Sequence, residues 1–267
     1  MAKDQIQNAG KHNVKALIIR AAGTNCDQET IHALTTFGVS CELAHINQLL
    51  MGRLRLHPYQ IVVFPGGFSY GDDISAGKVF ANELKLRLQD QLKRFVESKK
   101  LIIGICNGFQ VLVKAGLLPG FDVMDEEQTV TLAINESGHY QCEWVGMKTE
   151  KSAASWLDSM PKSFELPIAH GEGRFLTLNL KVLETLKKNK QIVFQYAPKN
   201  PNGSQFDIAG LCNKQGNVIG LMPHPERYLI RYQHPNWTAR RANSQGDWGD
   251  GYLFWQAAVN YAKSFAY

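Results

Sequence analysis

Little in this sequence points toward a membrane, a secretory route or a metal cluster. No apolar run approaches the ~20 residues that a membrane-spanning helix needs. Residues 1–13 are polar and lack the apolar core of a signal peptide, so the chain is expected to stay in the cytoplasm. Cysteine is sparse: five residues, Cys26, Cys41, Cys106, Cys142 and Cys212, with no C-x-x-C among them. An odd, scattered set supports neither a disulfide framework nor a structural zinc site. In a reducing compartment such thiols stay free, and one of them can serve as a reagent. No block of basic residues occurs; 29 basic and 24 acidic residues are spread along the chain for a net charge of +5, which gives no argument for nucleic acid. No G-K-[ST] phosphate loop and no G-x-G-x-x-G appears either.

What remains has the composition of an ordinary soluble protein, 44% hydrophobic and 20% charged over 267 residues, which is ample for a sizeable core. The first half alternates strand and helix patterns. Residues 14–20 are a short apolar run read as a buried strand. Asn25 or Asp27 is placed to cap a helix carrying Ile31, Leu34 and Phe37, which stops at Gly38. Val39, Cys41 and Leu43 alternate with polar residues, and 61–64 and 101–105 are two more apolar strands. Leu84, Leu88, Leu92 and Phe95 recur at helical spacing, and Phe109, Leu112 and Val113 begin another helix. That β-α-β-α order implies a parallel sheet covered on both faces. The second half is richer in strands. Residues 129–135 and 141–147 are expected to pair through a turn at Gly138, and 192–197, 208–212 and 218–222 are further strands, the last two joined by a turn at 213–216. Residues 252–265 carry a closing helix. With no repeat or linker, one domain over 1–267 is expected, with a polar tail at 1–13 and an extended segment at 228–251.

Gly104-Ile105-Cys106-Asn107-Gly108 lies where an apolar strand passes into an amphipathic helix. A nucleophile there rides a tight turn, exposed at the carboxyl end of the sheet where open α/β sheets bind ligands. Small residues two before and two after it let neighbouring backbone pass close. The following helix N-terminus favours the thiolate, and the Asn107 N–H is aimed at an oxyanion on its target. The competing reading is a buried small hydrophobe, the usual fate of a free cysteine, and it stands for the other four.

A thiol nucleophile needs a base, and the base needs an orienting group. Met222-Pro223-His224-Pro225-Glu226 follows a strand, and residues two apart in extended chain face one side. The prolines stiffen that spacing. His224 and Glu226 can therefore act together, although a surface turn would use the same residues. Pro65-Gly66-Gly67 follows the 61–64 strand; its paired glycines let backbone N–H groups of Gly66 and Gly67 face an oxyanion or carboxylate, and an ordinary loop is the alternative. His170-Gly171-Glu172-Gly173-Arg174 reads as a flexible charged loop, suited to a pocket or an interface, or held only by its own ion pair.

P-G-G, then Gly104 to Gln110 as a complete G-x-C-x-G-x-Q, then H-P-E, each after a strand, resemble the class I (triad) glutamine amidotransferases. Four strings sharpen the resemblance: PGGFSYGD, GICNGFQ, IAHGEGRF and the opening IIRAAGTNCDQET look like the branch that serves phosphoribosylformylglycinamidine synthase in purine biosynthesis. The resemblance runs from Val14 to Arg227 and departs in the segment 228–251, which holds Arg231, Trp237, Arg240, Arg241 and Trp248 and suits either an interface or a fold-back over the domain. It implies an α/β, flavodoxin-like fold: a mostly parallel sheet with helices on both faces and an added antiparallel portion. It also implies Cys106 as nucleophile, His224 as base and Glu226 as its orienter. Gly67 and Asn107, beside Gly66, become oxyanion donors and Gln110 a glutamine contact, while His170 and Arg174 lie near the glutamine pocket or the synthetase interface. The implied substrate is L-glutamine. The implied partners are a synthetase subunit, which would carry ATP and Mg, and a small accessory subunit; no metal or organic cofactor is expected on this chain. A glutaminase for a different synthetase is the alternative within the family. Outside it stand a hydrolase with a similar elbow and a non-catalytic regulatory module, the latter disfavoured by an intact triad.

Overall fold

The computed structural model describes residues 14–72, 77–239 and 246–266, so the expected tail at 1–13 and Arg240 and Arg241 lie outside the described residues. In chain order the elements are β1 (Lys15–Arg20), α1 (Asp27–Thr35), β2 (Ser40–His45), α2 (Ile46–Leu50), β3 (Ile61–Phe64), α3 (Lys78–Arg87), α4 (Gln89–Glu97), β4 (Leu101–Ile105), α5 (Asn107–Lys114), β5 (Val130–Ala133), β6 (Gln141–Thr149), β7 (Ser163–His170), β8 (Arg174–Thr177), α6 (Leu180–Lys188), β9 (Ile192–Tyr196), β10 (Ile208–Cys212), β11 (Val218–Leu221) and α7 (Asp250–Lys263). Nine strands form one sheet in the order β2-β1-β3-β4-β11-β10-β9-β6-β7. From β2 to β11 the neighbours are parallel; from β11 to β7 they are antiparallel. The expected α/β sheet with an antiparallel addition is therefore the observed one.

Burial follows this division. β3 (IVVF), β4 (LIIGI) and β11 (VIGL) are buried at every residue, as strands covered on both faces must be. β7 (SFELPIAH) buries every second residue, the mark of a strand with one face against the core. Phe109, Phe194, Phe254 and Trp255 are fully buried between sheet and helices. No helix among the described residues is long and apolar enough to cross a membrane.

Three local expectations are corrected. The helix read through Leu84 and Phe95 is two helices, broken at Leu88 with φ −121° and ψ 6°. All four periodic residues are buried, since the pattern marks a face and is blind to a kink. The expected hairpin across Gly138 does not form. Gly138 makes its turn, with φ 70° and an N–H bond to Asn135 O, but β5 pairs with β8, and β6 is taken by β7 along eight residues and by β9 on its other side. The α1 N-cap is Cys26, whose side chain makes no capping bond; Asp27 instead pairs with Arg20 at 3.2 Å. The 228–251 segment folds back in part: Tyr228, Leu229 and His234 are buried, Trp144 packs edge-on to Tyr228, and Trp248 stacks on Tyr252 at 4.1 Å, while Trp237 remains exposed.

Candidate active site

β3, β4 and β11 are adjacent and parallel, so their carboxyl ends open at one edge. Register sets them level, with Phe64 beside Gly104 and Leu221 beside Ile105. The glycine loop, Cys106 and the H-P-E segment each follow one of these ends by no more than a few residues. β1 lies beside β3, and the loop after it crosses the glycine loop. Phe68 N–H donates to Gly23 O at 2.9 Å, and the Asn25 and Cys26 N–H groups both donate to Gly66 O, at 3.4 and 3.2 Å. The two ends of a trans peptide point opposite ways, so this pinning turns the Gly67 N–H away from residues 25 and 26.

Cys106 holds φ 52° and ψ −108°, a conformation that a residue with a β-carbon rarely takes. Such strain persists only where the surroundings enforce it. Cys106 N–H donates to Leu221 O at 2.8 Å and its carbonyl accepts from Gln110 N–H at 3.2 Å, fixing it to β11 and α5. The flanking glycines let α5 sit hard on the sheet: a β-carbon at Gly108 would stand 1.8 Å from Phe64 O, and one at Gly104 2.7 Å from Gly108 O. The thiol is 6% exposed, and Ala169 O lies 3.7 Å from its sulfur.

His224 and Glu226 are buried, with imidazole Nδ1 2.6 Å from Glu226 Oε1. With Nδ1 donating to the carboxylate, Nε2 is left for chemistry, and it makes no standard hydrogen bond among the described residues. Burial alone would lower the imidazole pKa. The Glu226 carboxylate outweighs it, helped by the Cys106 and Cys26 thiols, and the pKa is held well above its ordinary value. The His224 N–H donates to Pro167 O at 2.9 Å. β7 is last in the sheet order, yet Pro167 and Ala169 touch His224 and Cys106, so the antiparallel half rolls back over the strand edge, as twisted sheets do.

The remaining sequence candidates are placed as follows. A β-carbon at Gly66 would meet His224 Cε1 at 2.8 Å, Cys26 Sγ at 3.1 Å and Cys106 Cβ at 3.5 Å, so that glycine sits among the side chains of the site. Asn107 and Gln110 are buried in a chain of bonds: the Ser69 hydroxyl donates to Asn107 Oδ1 at 2.6 Å, Asn107 Nδ2 to Gln110 Oε1 at 3.1 Å, and Gln110 Nε2 to Glu172 O at 2.5 Å. Gln110 thus ties α5 to the H-G-E-G-R segment. That segment is no free loop: His170 ends β7 and Arg174 begins β8. His170 is 3% exposed, its Nδ1 is 3.0 Å from Asn135 Oδ1, and burial together with the charge of His224 pushes its pKa down to about 4. Arg174 is engaged by Gly203 O at 3.2 Å and Glu136 at 3.8 Å rather than by the Glu172 of its own loop.

Sequence reasoning passed over Cys26, treating it as an ordinary buried thiol. Its sulfur accepts from Arg227 Nη2 at 3.1 Å and lies beside His224. The available signal was topological: Cys26 follows β1, which opens at the same edge as β3. Asn135 was missed too. Its side chain holds His170 O, His139 O, the His170 ring and Gly173 N–H together, at 2.8, 2.9, 3.0 and 3.1 Å.

Comparison with known proteins places the chain in a family. The family model described as the CobB/CobQ-like glutamine amidotransferase domain matches residues 13–262. The phosphoribosylformylglycinamidine synthase subunit PurQ of Dehalococcoides mccartyi is 44% identical, over 94% of this chain and 98% of that protein. The protein of the same name from Methanococcus maripaludis is 43% identical, over 85% of this chain and 87% of its own. Among solved structures, a chain of PurLQS from Thermotoga maritima superposes with a TM-score of 0.73 at 31% identity, covering 93% of this chain and 99% of that one.

Proposed function

Since this chain belongs to the CobB/CobQ-like glutamine amidotransferase family, we propose how its strand-edge site works and what it serves. It is the glutaminase subunit of a phosphoribosylformylglycinamidine synthase, as the names of relatives at 43–44% identity support. The observation that carries the mechanism is the arrangement at the edge: a buried, bonded His224–Glu226 pair beside a thiol held at a strained elbow. Cys106, its proton already passed to His224, attacks the side-chain amide carbon of L-glutamine as the thiolate. The oxyanion is met by the Gly67 and Asn107 N–H groups, worth ~2.7–4 kcal/mol per donor in comparable sites. His224, held protonated by Glu226, passes its proton to the departing ammonia and leaves a γ-glutamyl thioester on Cys106. Water, deprotonated by His224, then releases glutamate.

The ammonia passes to an ATP-dependent synthetase subunit, which converts formylglycinamide ribonucleotide to the amidine. The PurLQS assembly of the Thermotoga maritima neighbour supports such a partner, and a small accessory subunit fits the same assembly. ATP and Mg belong to that partner, for this chain carries no phosphate loop.

The test separates the two half-reactions. In the assembled complex Cys106→Ala should abolish glutamine-dependent amidine synthesis and spare synthesis from added ammonia. Ammonia-dependent turnover falling in parallel, in a complex that is still intact, would refute the division of labour.

A further inference from the structure

We propose that Cys26, His224 and Glu226 form a binding site for a thiophilic divalent cation, with Zn2+ as the ion it suits, and that the bound ion switches the glutaminase off. The proposal rests on the reading of His224 as the base. Among the described residues these three make a metal-capable group: the Cys26 sulfur, an imidazole nitrogen and a carboxylate oxygen lie within 4.8 Å of one another, and all three residues are buried. Ligands at ~2.0–2.3 Å from a tetrahedral zinc stand somewhat closer together than that, so small side-chain rotations close the set. A further observation points to a ligand here. Glu226 spends Oε1 on the imidazole, while its Oε2 is buried with no partner among the described residues. A buried carboxylate oxygen of this kind is costly unless something fills it.

The donor set of thiolate, imidazole and carboxylate selects zinc over magnesium or calcium, which take oxygen ligands. A Zn2+ with Cys26 thiolate and Glu226 carboxylate is neutral overall, which suits a buried site. Burial pushes the Cys26 thiol pKa up, and Arg227, whose Nη2 donates to the sulfur at 3.1 Å, works against that, so the ion itself must displace the thiol proton; the guanidinium is partly exposed and tethered to Glu29, so it can give way toward solvent. Nδ1 is the ring nitrogen beside Glu226, so the ion takes Nδ1 and removes the bond that orients and charges the base. The ion is an inhibitor and takes no part in turnover.

The ligand set excludes Cys106, and this makes the test sharp. Zn2+ affinity of the full chain would be measured by competition with a chromophoric chelator. Cys106→Ala should bind Zn2+ as the parent does, and Cys26→Ala and Cys26→Ser should each lose more than the ~100-fold that the loss of a supporting group costs. Co2+ as a second probe should give a thiolate charge-transfer band in Cys106→Ala and none in Cys26→Ala. Glutaminase activity of the complex, read against each variant's own metal-free rate, should be inhibited by Zn2+ in the parent, restored by chelator, and resistant in Cys26→Ala. Binding lost in Cys106→Ala and kept in Cys26→Ala would place the ion on the Cys106–His224 pair and overturn the proposal, as would no saturable binding to the parent. A metal-free complex without glutaminase activity would count against the functional reading, and Zn2+ binding to Cys106→Ala would stand apart from it.

Discussion

His170 and His224 are both buried near Cys106, yet their protonation is driven in opposite directions. His224 has a carboxylate at 2.6 Å and is held protonated; His170 has an amide oxygen and a cationic neighbour and stays neutral, with its pKa at about 4. The linkage signs differ accordingly. The contribution of His224 is full below the unfolded value of ~6.5 and is lost as pH rises through its folded value. That of His170 is full above ~6.5 and is lost as pH falls from there to about 4. His170→Gln should therefore flatten the acid side of the stability curve between those values, by up to ~1.4 kcal/mol per pH unit. Urea unfolding in pH steps would measure it, and parallel curves for parent and variant would rule the neutral buried His170 out. For activity, His224→Ala should cost ~100- to 10,000-fold, the range for removal of a proton-transfer group. Glu226→Ala should cost less, because the acid orients and stabilises the imidazole without meeting substrate. The reverse ranking in folded variants would show that His224 is not the base.

Among the elements, the junction of β5, β7 and β8 deserves a test of its own. One side chain, Asn135, bridges the ends of all three, and its loss would strand three groups of buried His170 and Gly173 as well as the carbonyl of exposed His139. Asn135→Ala should cost about 1–3 kcal/mol, the penalty for unpaired buried groups. It should also speed amide exchange at residues 171–174 and lower glutaminase activity, because Ala169 O then loses its fixed place at Cys106. Unchanged exchange at those residues would mean that the clamp is dispensable. This junction is also where the sequence was least legible. The parallel strands announce themselves as unbroken apolar runs ending in P-G-G, G-x-C-x-G or M-P-H, and those ends meet as their order implies. The β5–β8 pairing carries no local signal: Gly138 advertises a hairpin, while the real partners lie some forty residues apart, and long-range pairing is decided by packing. Cys26 escaped for a related reason. Its chemistry comes from β1 lying beside β3, and nothing in its own neighbourhood in the chain marks that.

For the whole molecule, the proposed synthetase partner would have to act on a site this far inside. The Gly66 carbonyl is pinned to the α1 N-terminus, so the oxyanion peptide rests with its carbonyl away from that loop's opposite side, and a simple peptide flip offers no brake. Residues 171–173 offer one. They touch Gln110, Asn135 and Tyr140, and Tyr140 and Ile134 are exposed apolar side chains at this end of the β5–β8 pair. A synthetase docked there would press on the segment that carries Ala169 and His170. The chain alone should then hydrolyse glutamine slowly, and saturating partner with its nucleotide ligands should raise turnover ~100-fold, which needs about 2.7 kcal/mol of coupling. Equal rates with and without partner would remove the gating role.

The roll of β7 over the strand edge has a consequence for the order in which the molecule assembles. The first four parallel strands and α5 gather from roughly the first hundred residues, a region of comparatively local connections. His224–Pro167 and Cys106–Ala169 join segments that are 57 and 63 residues apart, and closing loops of that length is the slow part of folding. If the local half forms first, as those separations favour, the elbow exists before its cover. At that stage the Cys106 sulfur faces solvent without His224 beside it, open to oxidants that the finished protein keeps out. Refolding from denaturant should then return more active enzyme with a reductant present than without it, and a yield indifferent to reductant would rule out this order of assembly.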